Sequence, residues 1–316
     1  MKPTLFAEVT QKCNYACNFC GEWRYTGAHS SITREQYRLL FDAARLEGLP
    51  RICFVGGEPT LFKGLRDLAQ DAVNIARMGN MSVHIITNGS TILQQRDLWE
   101  VPFDLVKVSI QSLDPEVSKA ITGRAFLNRV IEGIDYLQAR HIPLLIHYVV
   151  TTSSSNSLEQ LLLFARQRKL SLKLHELDTT LSTNDKTRVD MGPVLARLDE
   201  LAVEKTRIPT PGLPVQIWKL PEGIKIEVVL SGEQKYEESI CGDCELYPCD
   251  YGLYGLSITP DGFLSPCHIR QGWGEKINWS SLESVRGSVR RSAALIERSK
   301  AAHLATGELA SMIDRP

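Results

Sequence analysis

The stretch TLFAEVTQKCNYACNFC, residues 4–20, decides how the rest of the chain is read. Its first seven residues form an apolar, β-prone run, and Cys13, Cys17 and Cys20 lie in the segment that leaves it. Five more runs of the same character follow: RICFVG (51–56), MSVHIIT (81–87), DLVKVSI (104–110), PLLIHYVV (143–150) and SLKLHEL (171–177). Between them lie segments with apolar residues at helical spacing, such as TREQYRLLFDAARLEG (33–48) and NSLEQLLLFARQRK (156–169). In the first of these Thr33 is the expected N-cap, Gln36 closes a capping box, and Gly48 sits just past the end. Six strand–helix alternations predict an α/β fold with a helix-covered parallel sheet, open or curled into a partial barrel. The site of such a fold lies beyond the carboxyl ends of its strands, where the three cysteines are.

The pattern changes after residue 178. TNDKTRVDMGPVLARLDELAVEKTR (183–207) reads as a helix started or kinked at Gly192-Pro193, and IPTPGLP (208–214) as a link. Strands are expected at 215–219 and 224–230, then a cysteine-bearing segment and a helical tail from about 279. The expected division is residues 1–207 and residues 208–316.

The formal net charge of −1 gives no reason to expect nucleic acid or an anionic membrane as a partner. The N-terminal residues lack the apolar core of a signal peptide, and no run approaches the roughly 20 apolar residues of a membrane span. A cytoplasmic, reducing location is the expectation. The cysteines, in two tight groups, are therefore read as metal-holding thiolates and not as a disulfide framework.

Three cysteines without a fourth Cys or His in register suit a four-iron, four-sulfur cluster with one iron left open; a structural zinc would want a fourth ligand. The spacing Cys13-x3-Cys17-x2-Cys20 resembles that of the radical S-adenosylmethionine (SAM) enzymes, and three further motifs match in order. They are GGEP (Gly56, Gly57, Glu58, Pro59) after the second strand, TNG (Thr87, Asn88, Gly89) after the third and SIQSLD (109–114) after the fourth. The resemblance covers roughly residues 4–180. It implies a partial (β/α)6 TIM-type barrel, with SAM on the open iron and Phe19 against adenine. It also implies that the GGEP turn holds the methionyl amino group, and that Thr87, Asn88, Ser109 and Gln111 lie near methionine and ribose. An electron from a flavodoxin- or ferredoxin-type donor would then release a 5′-deoxyadenosyl radical able to abstract hydrogen from an unactivated C–H bond. Cys53, mid-strand, is expected to be an inert core residue. The alternative from a different class is a zinc-stabilised binding protein.

The second group, Cys241-x2-Cys244 with Cys267 after ITPDGFLSPC, resembles the auxiliary-cluster regions of the GTP cyclase of molybdenum-cofactor synthesis and of twitch and SPASM enzymes. A second four-iron cluster on Cys241, Cys244 and Cys267 is the expectation, with a β-turn at Pro260-Asp261-Gly262 returning the last ligand. The cyclase itself fits poorly, because Phe6 and Leu145 stand where that family carries an arginine and a lysine. Cys249 is left over. It is either a fourth ligand, which suits dehydrogenation or peptide modification, or a thiol that returns hydrogen to a substrate radical, as in radical epimerases. Between 231 and 250 the acids Glu233, Glu237, Glu238, Asp243, Glu245 and Asp250 face one base, Lys235. A solvated loop explains this, and so does a polycationic substrate such as an aminoglycoside, met by Glu238, Asp243 and Asp250. His147 and Glu176, at the fifth and sixth strands, are further substrate candidates.

Overall fold

The computed structural model of the chain describes residues 2–21, 32–177, 189–208, 215–230, 241, 243–244, 253, 255–267 and 274–305. Six strands follow in sequence: β1 (Thr4–Glu8), β2 (Arg51–Val55), β3 (Ser82–Thr87), β4 (Leu105–Ser109), β5 (Leu144–Val150) and β6 (Ser171–Glu176). Each pairs in parallel with the next. The crossovers are helices α1 (Arg34–Leu46), α2 (Leu65–Ala76), α3 (Pro115–Thr122), α4 (Leu127–Ala139) and α5 (Leu158–Arg168). The architecture is the α/β partial barrel that the alternation implied.

The sheet continues past this core on both sides. Helix α6 (Gly192–Leu201) leads to β7 (Glu204–Ile208), β8 (Val215–Lys219) and β9 (Lys225–Val229), and β9 joins β6 in parallel. On the other side β10 (Gly255–Ile258) pairs in parallel with β1, followed by β11 (Phe263–Ser265) and β12 (Glu275–Lys276). The order is β12-β11-β10-β1-β2-β3-β4-β5-β6-β9-β8-β7.

Local sequence accounts for most of this. The capping box forms as expected: Thr33 Oγ1 accepts from Gln36 N (3.2 Å) and Gln36 Oε1 accepts from Thr33 N (2.9 Å). Gly48 follows with φ +70°, the left-handed residue that ends the helix. The face of α1 carrying Tyr37, Leu40, Phe41 and Ala44 is buried against the sheet, and Phe41 meets Phe54 edge-on at 5.9 Å.

One expected helix is corrected. Of 183–207, the part before 189 lies outside the described residues, and the helical pattern stops at Leu201. Ala202 is extended (φ −84°, ψ 144°), and β7 pairs antiparallel with β8 over Glu204–Ile208. Glu204, Lys205, Thr206 and Ile208 are exposed on this edge strand, with Arg207 partly covered. The division expected at 207/208 falls within β7, whose partner β8 lies beyond it.

The last helix, α7 (Leu282–Ala305), packs on α1. Glu47, at the end of α1, takes Arg286 Nε at 3.0 Å and Arg290 Nη2 at 2.8 Å. Those guanidiniums, Arg290 first, hold its carboxyl below the ordinary range. Among the described residues no helix is long and apolar enough to cross a membrane.

Candidate active site

The loop after β1 carries Cys13, Cys17 and Cys20, and three neighbouring elements fix it. Ala16 N donates to Thr122 O (2.9 Å) and Asn18 N to Ile121 O (3.0 Å), binding the loop to the end of α3. Arg124 Nε donates to Asn14 O (3.0 Å). Gly57 N donates to Thr10 O (2.8 Å) and Glu58 N to Lys12 O (2.7 Å).

These last two bonds give the GGEP turn a packing role in addition to the one expected of it. A Cβ on Gly56, whose φ is +135°, would lie 2.3 Å from Thr10 O, and one on Gly57 would lie 2.4 Å from Lys12 O. Both glycines are required by the cysteine loop's own backbone, before any ligand is considered.

Glu58 then locks two motifs together. Its Oε1 accepts from Thr60 Oγ1 (2.6 Å), Thr60 N (3.2 Å) and Thr87 Oγ1 (2.7 Å), and its Oε2 accepts from Asn88 N (2.6 Å). Burial raises the carboxyl's pKa, and these four donors oppose that rise. Pro59 is buried at the start of the short helical turn capped by Glu58. Asn88 Nδ2 donates to Asn14 Oδ1 (2.8 Å), and Asn14 Nδ2 donates to Ser90 Oγ (2.8 Å). Asn14, Ser90 and Arg124 were not singled out in the sequence, since neither lone asparagines nor a lone arginine carries a motif signal.

Glu58→Gln tests this lock. An amide presents a donor where only acceptors fit, so one of the four bonds becomes a clash of donors. The expected loss is about 2 kcal/mol, or about 3 °C in Tm for a chain of this length. A melting curve checks it, and an unchanged Tm would mean that the carboxylate is not holding the two turns.

The cysteine thiols suit an iron–sulfur cluster by their electrostatics. Burial, then the neighbouring Cys20 and Cys13, pushes the Cys17 thiol up to about 12. A buried sulfur raised further by two neighbouring sulfurs is stable as a thiolate only beside a strong positive charge. No three His, Cys, Asp or Glu among the described residues group around a single metal ion. Phe19 is half-buried in the same loop.

Strand alternation defines the barrel interior. Ile52, Phe54, Val83, Ile85, Val106, Val108, Ile146, Tyr148, Leu172 and Leu174 belong to the helix-side core. Their alternating neighbours face the lumen. Cys53 is one of these, so the expected core cysteine is buried on the lumen side, where burial raises its pKa against the nearby Lys107 and Arg51. Ser109, His147, Lys173 and Glu227 align in register across β4, β5, β6 and β9. Gln111, 6% exposed, accepts from Val149 N (2.9 Å) and so ties β4 to β5. Glu176 shares its side of β6 with Leu172 and Leu174, while His175 shares the lumen side with Lys173. Near its end β6 thus presents His175 to the lumen beside Lys173, and neither carries a motif signal in the sequence.

Lys107 is 9% exposed, and neither it nor Lys173 has a hydrogen-bond or ion-pair partner among the described residues. Burial and then Lys107 lower Lys173 to about 8, with Glu227 opposing. The described interior therefore carries Lys107 and Lys173 together with Glu227, a mixed lining and not the acidic surface that a polycationic substrate suggests. Of the acidic run, Glu238 and Asp250 lie outside the described residues, and so does Cys249. Asp243 lies beside Cys244, whose N donates to Cys241 O (3.0 Å). Cys241 and Cys267 pack against the main core. Gly262, with φ +89°, donates to Thr259 O (2.9 Å) and closes the expected turn between β10 and β11.

A family model described as "Radical SAM superfamily" matches residues 7–165. The chain belongs to the radical SAM superfamily. Its members are enzymes that use SAM with a four-iron cluster, and this chain is a radical SAM enzyme. Among curated relatives it is 29% identical over 200 residues to the "Probable GTP 3′,8-cyclase" of Sulfolobus acidocaldarius, covering 61% of this chain and 62% of that one. It is 28% identical over 276 residues to the protein of that name from Methanothermobacter thermautotrophicus, covering 84% of each. The chain thus spans about three-fifths of the first relative's length and more of the second's. Among solved structures, Streptococcus suis SuiB bound to precursor peptide SuiA aligns over 94% of this chain and 70% of its own, with a TM-score of 0.66 at 16% identity. The anSMEcpe enzyme with bound AdoMet aligns over 93% and 83%, with a TM-score of 0.60 at 15% identity. These structural likenesses are likenesses of fold.

Proposed function

We propose that this enzyme is an epimerase. In this reading a 5′-deoxyadenosyl radical removes hydrogen from one ring carbon of an aminoglycoside-type sugar, and Cys249 returns hydrogen to the opposite face. One observation supports it most. The β10–β11 hairpin that leads to Cys267 is paired through β10 to β1, the strand entering the first cysteine loop. Cys267, which follows that hairpin, is thereby held on the same sheet as the strand that enters the first cysteine loop. The extra cysteine and the acidic run also resemble the neomycin epimerase of aminoglycoside biosynthesis. In this reading the ring to be inverted enters the lumen, and its amino groups stay at the mouth with Glu238, Asp243 and Asp250. Residues 208–316 supply a second four-iron cluster on Cys241, Cys244 and Cys267.

The balance is redox-neutral for the substrate. A C–H bond breaks and 5′-deoxyadenosine forms. The Cys249 S–H bond then breaks and a C–H bond forms on the other face. The sulfur radical takes up one electron, from the flavodoxin- or ferredoxin-type donor, and one proton. When bound, the first cluster and SAM supply the abstracting radical. The chain supplies the cysteine loop, pinned by Gly57, Glu58 and Arg124, and the lumen that orients the substrate.

Mass spectrometry tests the reaction type. An aminoglycoside such as neomycin, turned over under dithionite, should give a product of unchanged mass and altered retention. A product lighter by two hydrogens would instead support dehydrogenation, with Cys249 as a fourth ligand.

A second reading, cyclase-like chemistry on a nucleotide, is favoured by the curated relatives. Against it, the ring of Phe6 covers Gly255, where an added Cβ would lie 2.3 Å from Phe6 Cε2. Leu145 is buried opposite Lys107 in register. Two positions expected to be cationic in a cyclase are apolar.

A further inference from the structure

The geometry points to His147 and His175 as a pair that holds hydroxyl groups of a polyol substrate inside the barrel. This rests on the reading that the substrate's ring enters the lumen.

The two imidazoles stand on the lumen sides of adjacent strands, β5 and β6, with ring centroids 6.1 Å apart and planes at 71°. The His147 ring makes no hydrogen bond among the described residues. His175 is half engaged, with Nδ1 lying 3.0 Å from the carbonyl oxygen of Glu176. A carbonyl only accepts, so that nitrogen carries the proton, and a neutral His175 presents Nε2 as a bare acceptor.

The rest of the lumen keeps both rings uncharged. Burial is the main cause, and Lys173 and Lys107 add to it. His175 is lowered to about 4, and His147 well below the usual histidine value, with His175 itself a further cause. The unpaired lysines thus have a consequence for the histidines. Beside two ammonium groups the imidazoles stay neutral, and each offers a donor or an acceptor without charge. A hydroxyl both donates and accepts through one atom, so it meets an imidazole acceptor and a lysine donor in one cavity. A carboxylate or phosphate would leave His175 Nε2 facing a second acceptor. A substrate ammonium would meet Lys107 and Lys173.

Binding is measured by calorimetry on the anaerobically reconstituted enzyme with SAM and no reductant, using neomycin as the probe. His147→Phe and His175→Phe should each weaken binding by about tenfold. His147→Gln, which keeps a neutral donor and acceptor, should recover to within about threefold of wild type. In turnover, each Phe variant should also lower the ratio of product to 5′-deoxyadenosine, because a loosely held ring misses the radical.

Unchanged neomycin binding in both Phe variants would overturn the proposal. So would inorganic phosphate displacing neomycin from wild type but not from Lys107→Gln, which would make the lumen an anion site. If wild type ignores neomycin yet binds myo-inositol, and His147→Phe abolishes that binding, the aminoglycoside reading fails and the hydroxyl-holding pair stands. No binding of either polyol overturns the pair.

Discussion

Replacing Cys13, Cys17 or Cys20 with alanine is expected to abolish 5′-deoxyadenosine formation, with at least a thousandfold loss. The chemistry depends on a cluster held by three thiolates, and two cannot hold it with one iron still open. Iron analysis should fall from about eight atoms per chain to about four if the second cluster forms independently. The loop itself should survive the change. Its hold on the fold comes from backbone bonds at Ala16, Asn18, Gly57 and Glu58, none of which uses a sulfur. The variants should therefore melt near the wild-type apoprotein while losing colour and activity. Cys53→Ala is the control: its thiol is buried in the lumen on another strand, and the iron content should not change. Retained SAM cleavage in any of the three loop variants would remove Cys13, Cys17 or Cys20 from the ligand set.

Cys249→Ala should separate the two halves of the reaction. SAM cleavage continues, because Cys13, Cys17 and Cys20 are all retained. Iron stays near the wild-type content, because Cys241, Cys244 and Cys267 remain. The inverted product disappears, with a loss of at least a hundredfold, since no other cysteine of the second group is left to return hydrogen. If iron instead drops by about four atoms, Cys249 is a ligand and dehydrogenation becomes the better reading.

Much of the fold is legible in the sequence because the strands are short, apolar and evenly spaced. Each expected strand from 4–10 to 171–177 appears within a residue or two of its place. Strands at 215–219 and 224–230 were found the same way. The edge strand β7 was missed because Val203–Ile208 continues a helical spacing, and only the distant pairing with β8 makes it a strand.

The site was legible where motifs follow strand ends, and less so inside the barrel. GGEP lies at the end of the second strand as expected, and its glycines have a packing role that the motif does not reveal, since they clear Thr10 and Lys12. His147 was found by its place on the fifth strand, whereas Lys107, Lys173 and His175 were not. In a flat parallel sheet both faces meet helices and read as apolar. Only the curl of these strands creates an inner side where charge is tolerated, and local periodicity carries no trace of that curl.

The most direct test of hydrogen return by a thiol is turnover of wild-type enzyme in deuterated water. An S–H proton exchanges with solvent, while the hydrogen abstracted from carbon leaves in 5′-deoxyadenosine. The account predicts one deuterium at the inverted carbon of every product molecule and none elsewhere. A product free of deuterium would contradict it.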